Sequence, residues 1–125
     1  MLGAAAVGFA PIRGYVQTPY PGTEDWLQNA VATVGPVTIA INVVKSFFYY
    51  SSGVYYDSDC YTTSPNYAGG HAIVAVGYGT DPTQGDYWIV RNSWGHSWGA
   101  QGYILMARNT GNLCDLATWA TYPLV

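Results

Sequence analysis

The chain has 125 residues, of which 50% are hydrophobic and 9% are charged, and its formal net charge is −3. This length allows one domain or part of a larger one, and the apolar fraction can bury a core, which excludes wholesale disorder. Four basic against seven acidic residues argue against a surface for nucleic acid or anionic membranes, and no apolar run approaches the ~20 residues of a membrane-spanning helix. So few charges predict a surface that another domain or chain partly covers.

The N-terminal third contains the predicted helix. Residues 1–10 are small and apolar but lack a basic start, so they match a secretory signal poorly. If the mature protein is secreted, we expect its signal to lie outside this chain. Thr23 can cap a helix, and the two acidic residues that follow it are favoured by the helix dipole. Apolar residues then recur at helical spacing until Gly35 and Pro36, which predict the end of the helix.

The rest of the chain is rich in strand signals. Residues 37–43 alternate apolar and polar side chains, which predicts a strand with one buried face. One helical turn is predicted at 45–50, an extended segment at 53–56 and a polar loop at 57–66. Further strands, two of them joined by a loop at 79–85, are predicted at 71–78, 87–92 and 102–107. One helix followed by several strands indicates an antiparallel sheet or barrel with a helix packed beside it.

Two polar residues on neighbouring predicted strands form a candidate catalytic pair. Facing residues of an antiparallel hairpin have a nearly constant index sum. The midpoint between His71 and Asn92 falls between Asp81 and Pro82, inside the predicted loop, so the hairpin brings the two side chains together. An amide oxygen can accept an imidazole N–H, fix the tautomer and aim the other ring nitrogen, which is the orienter–base half of a nucleophilic triad. The alternative is a core histidine bonded to an available polar group.

The chain contains two cysteines, Cys60 and Cys114. They allow one disulfide that closes a loop of about 55 residues, worth about 4 kcal/mol in the chain-entropy model. The alternative is two buried thiols of a cytosolic protein, and composition leaves both open. No metal site is expected, because His71 and His96 are far apart in sequence and no CxxC spacing accompanies them.

Several motifs together resemble a known family. Segments 70–79, 87–95 and 98–103 read GHAIVAVGYG, YWIVRNSWG and WGAQGY. In this order they resemble the histidine and asparagine signatures of papain-like cysteine peptidases, in particular those of the cathepsin L group. Shorter matches in the same order are GPV at 35–37, SGVY at 52–55, CDLA at 114–117 and YP at 122–123. The resemblance covers nearly the whole chain from about Gly14 onward.

The resemblance implies an α+β fold, that of the papain-like C-terminal (right) domain, with an antiparallel, barrel-like sheet and one flanking helix. His71 matches the catalytic base and Asn92 the residue that orients it, as in the Cys-His-Asn variant of the triad. Trp94 matches an indole that covers the His–Asn contact and keeps water away. Cys60 and Cys114 match a disulfide of the family. No cofactor or metal is implied.

The resemblance also implies a substrate pocket, although this chain departs from the family pattern. The residues that would line the main specificity pocket are Ala40, Gly69, Ala72 and Trp119. Trp119 falls where relatives tend to have a small residue, so it would favour small substrate side chains or block the pocket, unless it packs elsewhere. Gly70 stands where an acid or amide commonly precedes the base, which leaves the pH profile open. Asp115 replaces a usual Gly, and His96 falls at a variable surface position.

The nucleophile of the family has no match here. The sequence contains no Cys-Gly-Ser-Cys-Trp-like motif and no counterpart of the family's oxyanion-stabilising Gln. Residues 1–125 are therefore expected to be the C-terminal half of a peptidase domain, inactive alone. The expected partners are a protein or peptide substrate and an N-terminal half-domain that carries the nucleophile. The implied function is cysteine-type endopeptidase, in a lysosomal or extracellular compartment.

Two other functions share these residues. One is a non-catalytic relative that acts as a binding or structural module. The other is a silicatein-like protein, in which Ser replaces the nucleophilic Cys. Because His71 and Asn92 occur in both the peptidase and the silicatein-like protein, only the residue at the nucleophile position separates the two.

Overall fold

The structure is a computed structural model that describes residues 11–125, so the expectation for residues 1–10 lies outside the described residues. Within this range, none of the helices has the length and apolarity needed to span a bilayer. The elements in chain order are β1 (Gly14–Gln17), α1 (Glu24–Thr33), β2 (Val37–Val44), α2 (Lys45–Phe48), β3 (Val54–Tyr55), β4 (Tyr67–Asp81), β5 (Gly85–Arg91), β6 (Tyr103–Ala107), the 3₁₀ helix η1 (Leu113–Asp115) and β7 (Ala120–Leu124).

The described strands form one seven-stranded sheet in the order β1-β7-β2-β4-β5-β6-β3. Neighbouring strands are antiparallel except β3 and β6, which are parallel. The α+β class with one flanking helix is confirmed. The sheet itself is open, because β1 and β3 remain as its two edges, and it does not close into a barrel.

Helix α1 begins and ends where the sequence predicts. The Thr23 hydroxyl accepts the Trp26 N–H at 3.1 Å, which satisfies one of the free donors of the first turn. Beyond the last turn, Gly35 has a φ of 129°, and its N–H donates to the Ala30 carbonyl at 3.3 Å. The buried face of the helix, which includes Leu27, rests on β4 and β2.

Strand β2 shows the predicted alternation. Val37, Ile39 and Ile41 are buried, whereas Thr38 and Ala40 between them are exposed. The inward side chains join the hydrophobic core, where burial of an aliphatic side chain contributes about 1.5–3 kcal/mol. Ala40 is therefore placed on the outer face of the sheet.

The β4–β5 hairpin exists, but its predicted register was wrong. Arg91 lies opposite Val74, where the predicted register required Ala72. The strands run further than the sequence suggested and leave a turn at 82–84. The Asp81 carboxylate accepts the N–H groups of Thr83 and Gln84 at 2.8 and 2.9 Å, and these bonds lower the pKa of Asp81. This Asx-type turn moves the centre of the hairpin toward the C-terminus.

A strand pairing and a disulfide join residues that are far apart in the sequence. Strands β1 and β7, which the sequence analysis missed, pair Tyr15 with Pro123 and Val16 with Tyr122. The disulfide between Cys60 and Cys114 is present and links residues 54 positions apart, which confirms the pairing that the resemblance implied. It joins the loop after β3 to η1.

Candidate active site

His71 and Asn92 are hydrogen-bonded to each other. The His71 Nε2 and the Asn92 Oδ1 are 2.8 Å apart. His71 lies in β4 opposite Ile41 of β2, and Asn92 directly follows the last residue of β5. Because the β4–β5 pairing begins at Val74 and Arg91, the two residues are not strand partners. The side chains alone make the contact that the hairpin argument predicted.

The chain around Asn92 fixes the orientation of its amide. The Asn92 N–H donates to the Gly102 carbonyl at 3.0 Å, and the Asn92 Oδ1 accepts the Ser93 N–H at 2.7 Å. Since a backbone N–H requires an acceptor, the oxygen of the amide must lie on this side. The His71 Nε2 must then donate to that same oxygen, which leaves Nδ1 as the ring nitrogen that can take up a proton.

The other end of the Asn92 amide is unusual. Asn92 is only 6% exposed, and in the described part of the chain its Nδ2 is buried without a hydrogen-bond acceptor. Leaving a buried donor unsatisfied costs about 1–3 kcal/mol. The hydrogen bonds of the Asn92 side chain are therefore made by its Oδ1, which accepts from Ser93 and His71.

Trp94 covers the imidazole. The two rings are stacked with centroids 4.9 Å apart and planes 22° apart. Phe47 and Trp98 contact the indole edge-on, with centroids at 5.6 and 5.2 Å. The indole is thus held from its sides and remains 36% exposed, so it forms part of the surface next to His71.

The thiols are not available for chemistry. Cys60 and Cys114, the only two cysteines of the sequence, are joined in the disulfide. Neither can act as a nucleophile in this state. The described residues also contain no group of His, Cys, Asp and Glu that could hold a metal ion.

The predicted pocket residues are partly brought together. Ala40 and Ala72 are direct partners in the β2–β4 pair, and Gly69 lies opposite Val43. The Ala40 N–H donates to the Trp119 carbonyl at 3.2 Å. The Trp119 indole is 47% exposed and stacks on Tyr20, with centroids 4.9 Å apart. The backbone of Trp119 is therefore beside the predicted pocket, while its side chain contacts a residue that the sequence analysis did not single out.

A cavity of about 360 Å³ lies next to Asn92. Its lining includes Asn92, Arg91, His96 and Gln101. None of the predicted pocket residues lines it. His96 is exposed, as expected for a surface position.

Phe48 belongs to the site although no sequence pattern identified it. Its ring is stacked on Trp94, with centroids 5.3 Å apart and planes 4° apart. The aromatic run at 47–50 was the available signal, but it indicated only one helical turn. Nothing in the run shows which ring would reach residue 94.

The sequence is similar to proteins of a known family. The sequence-family model described as papain family cysteine protease matches residues 4–124. A cathepsin L-like protein of Caenorhabditis elegans is 54% identical over 114 residues, which are 90% of this chain and 32% of that protein. A cathepsin L-like peptidase of Aedes aegypti is 52% identical over 121 residues, 96% of this chain and 34% of that protein. The chain thus spans about a third of the length of these curated relatives.

Solved structures share the fold. Digestive procathepsin L 3 of the Tenebrio molitor larval midgut is 43% identical with a TM-score of 0.80, over 91% of this chain and 36% of that one. The bromelain protease of Ananas comosus, solved in complex with the E64 inhibitor, is 38% identical with a TM-score of 0.78, over 91% of this chain and 51% of that one. Both similarities extend over nearly all of the present chain.

Proposed function

Because the chain belongs to the papain family of cysteine proteases, we propose that it supplies the base half of a cysteine endopeptidase active site. The observation that carries this proposal is the 2.8 Å bond between His71 and Asn92. It orients the imidazole so that Nδ1 faces away from the amide. A base held in one tautomer is what a nucleophilic thiol needs for activation.

In the proposed reaction, a thiolate and the protonated His71 form an ion pair before substrate binds. The thiolate sulfur attacks the scissile carbonyl carbon, and His71 Nδ1 gives its proton to the leaving amine as the C–N bond breaks. His71 then takes a proton from water as the water oxygen attacks the acyl carbon, and the C–S bond breaks to release the carboxylic acid and restore the thiolate–imidazolium pair. Asn92 adds no charge and keeps the ring oriented through both steps.

We further propose that the thiolate comes from a segment outside this chain, an N-terminal half-domain. Both cysteines are held in the disulfide, so this chain has no free thiol to contribute. The partner would meet the face that presents His71 and the half-exposed Trp94. On this proposal the chain is inactive alone, and its substrates are proteins or peptides.

The pocket and the compartment complete the proposal. Ala40, Gly69, Ala72 and Trp119 would line the main specificity pocket, supported by the pairing of Ala40 with Ala72 and the adjacent Trp119 backbone. A lysosomal or extracellular location is supported by the disulfide, because such bonds persist in oxidising surroundings.

The test is a peptidase assay with two proteins. One is the purified chain alone, and the other is the Aedes aegypti relative with this chain in place of the region that it matches. We expect thiol-dependent hydrolysis of a peptidyl-methylcoumarin only from the chimera. Thiol-dependent turnover by the chain alone would contradict an external nucleophile.

Substitutions in the chimera then test the base. His71→Ala is expected to lower kcat/KM by about 10²–10⁴-fold, the usual contribution of a general acid–base. His96→Ala is the matched control, because His96 is an exposed histidine outside the proposed machinery, and it should leave kcat/KM unchanged. Equal activities of the unsubstituted chimera and the His71→Ala variant would refute the proposed base.

A further inference from the structure

We propose that Phe48 is a positioning residue, which holds the Trp94 indole against His71 and so limits solvent access to the His71–Asn92 bond. Its relevance to catalysis rests on the proposed function, whereas its effect on the imidazole does not. The juxtaposition is a chain of three near-parallel rings: Phe48 on Trp94 at 5.3 Å, and Trp94 on His71 at 4.9 Å.

The short helix α2 explains why Phe48 can reach the indole. Phe47 is fully buried and anchors the helix in the core, whereas the next residue, Phe48, is 45% exposed. Successive residues of a helix point about 100° apart, so anchoring one ring fixes the direction of the other. Phe48 is thereby held at the surface although it is not itself part of the core.

A hydrogen bond ties the same two segments together. The Trp98 indole N–H donates to the Phe48 carbonyl at 3.1 Å, and Trp98 also contacts the edge of Trp94. The backbone of Phe48 and the segment that carries Trp94 are thus fixed relative to each other. Only the Phe48 ring then has to keep its rotamer for the stack to persist.

The geometry distinguishes Phe48 from its neighbours. Phe47 and Trp98 approach the indole at 86° and 84°, whereas Phe48 is only 4° from parallel. Edge contacts limit sliding of the indole in its own plane, and a parallel contact limits its tilt. Tilt of the indole is the motion that would separate it from the imidazole, since Trp94 and His71 are themselves stacked.

The experiment measures solvent exchange of the His71 Nε2–H proton by NMR in the full 125-residue chain. Phe48→Ala is expected to raise the exchange rate about two- to tenfold, the factor that corresponds to the loss of one aromatic pair. Phe48→Leu, which keeps apolar volume without a ring, should act in the same direction. Phe48→Tyr should restore the original rate.

Tyr49→Ala is the control, because it removes an adjacent ring that is 83% exposed. Backbone amides of β4 report general loosening and should exchange as in the unsubstituted chain. An unchanged His71 rate in Phe48→Ala, or an equal rise in Tyr49→Ala, would overturn the proposal. The measurement needs no nucleophile and no substrate, so a negative result would leave the proposed peptidase function standing. An inactive chimera would likewise leave the proposed role of Phe48 standing.

Discussion

One hydrogen bond between single residues, 2.8 Å from the His71 Nε2 to the Asn92 Oδ1, sets the orientation of the imidazole. Turn signals alone predicted that His71 and Asn92 lie close together. The predicted strand register was wrong by two positions, but the two side chains still form the hydrogen bond. The Ser93 N–H bond that fixes the amide involves the backbone after the strand, which no residue pattern encodes. The unsatisfied Asn92 Nδ2 likewise depends on tertiary packing.

Trp119 provides a prediction at this scale. If it narrows the proposed pocket, Trp119→Ala in the chimera should raise kcat/KM for a substrate with Phe in that pocket, relative to one with Ala, by at least about tenfold. The removed indole leaves room for the larger side chain. Tyr61→Ala is the control, since Tyr61 has a similar exposure of 45% against 47%. An unchanged ratio in Trp119→Ala would place the indole outside the pocket.

At the scale of elements, helices and alternating strands followed from local rules, and the ties between elements did not. Thr23 caps the first turn of α1, and Gly35 follows its last turn and donates to the Ala30 carbonyl. The ends of the sheet were missed because β1 and β7 pair residues more than 100 positions apart, such as Tyr15 with Pro123. Such pairing depends on the whole chain, since each strand is short and leaves little local signal.

Arg108 is the clearest tie between elements. It is 8% exposed and follows β6, and its guanidinium donates to Gln28 of α1 at 2.7 Å and to the carbonyls of Gly79 and Tyr87 at 3.2 and 3.3 Å. It therefore joins α1 to both strands of the hairpin that carries His71.

We expect Arg108→Met to lower the free energy of unfolding by about 2–4 kcal/mol, because it removes a buried guanidinium and leaves three half-buried acceptors without their donor. Urea denaturation of the full chain measures this. Arg91→Met is the matched control, since Arg91 is exposed, and should change stability by less than about 0.5 kcal/mol. Similar losses in the two variants would show that the bonds of Arg108 contribute little.

At the scale of the whole molecule, the fold class followed from one helix and a series of strands. The open edges of the sheet and its parallel β3–β6 pair could not be predicted from the sequence, because no local pattern specifies which strands become neighbours. The low charge of the sequence pointed to a covered surface. In the structure, the Trp94 ring stacks on His71 and the Phe48 ring stacks on Trp94, and Trp94 and Phe48 are 36% and 45% exposed. This is the face on which we propose that the nucleophile-bearing half-domain rests.

We propose that His71 activates a thiol supplied from outside the chain, and alkylation of that thiol can be followed without any substrate. The rate of iodoacetamide reaction of the chimera is measured from pH 4 to 9. A thiolate paired with an imidazolium persists to acidic pH, whereas an ordinary cysteine thiol has a pKa of about 8.5. We predict that His71→Ala lowers the rate at about pH 5 by at least about a hundredfold. Superimposable pH profiles with and without His71 would show that His71 does not activate the thiol.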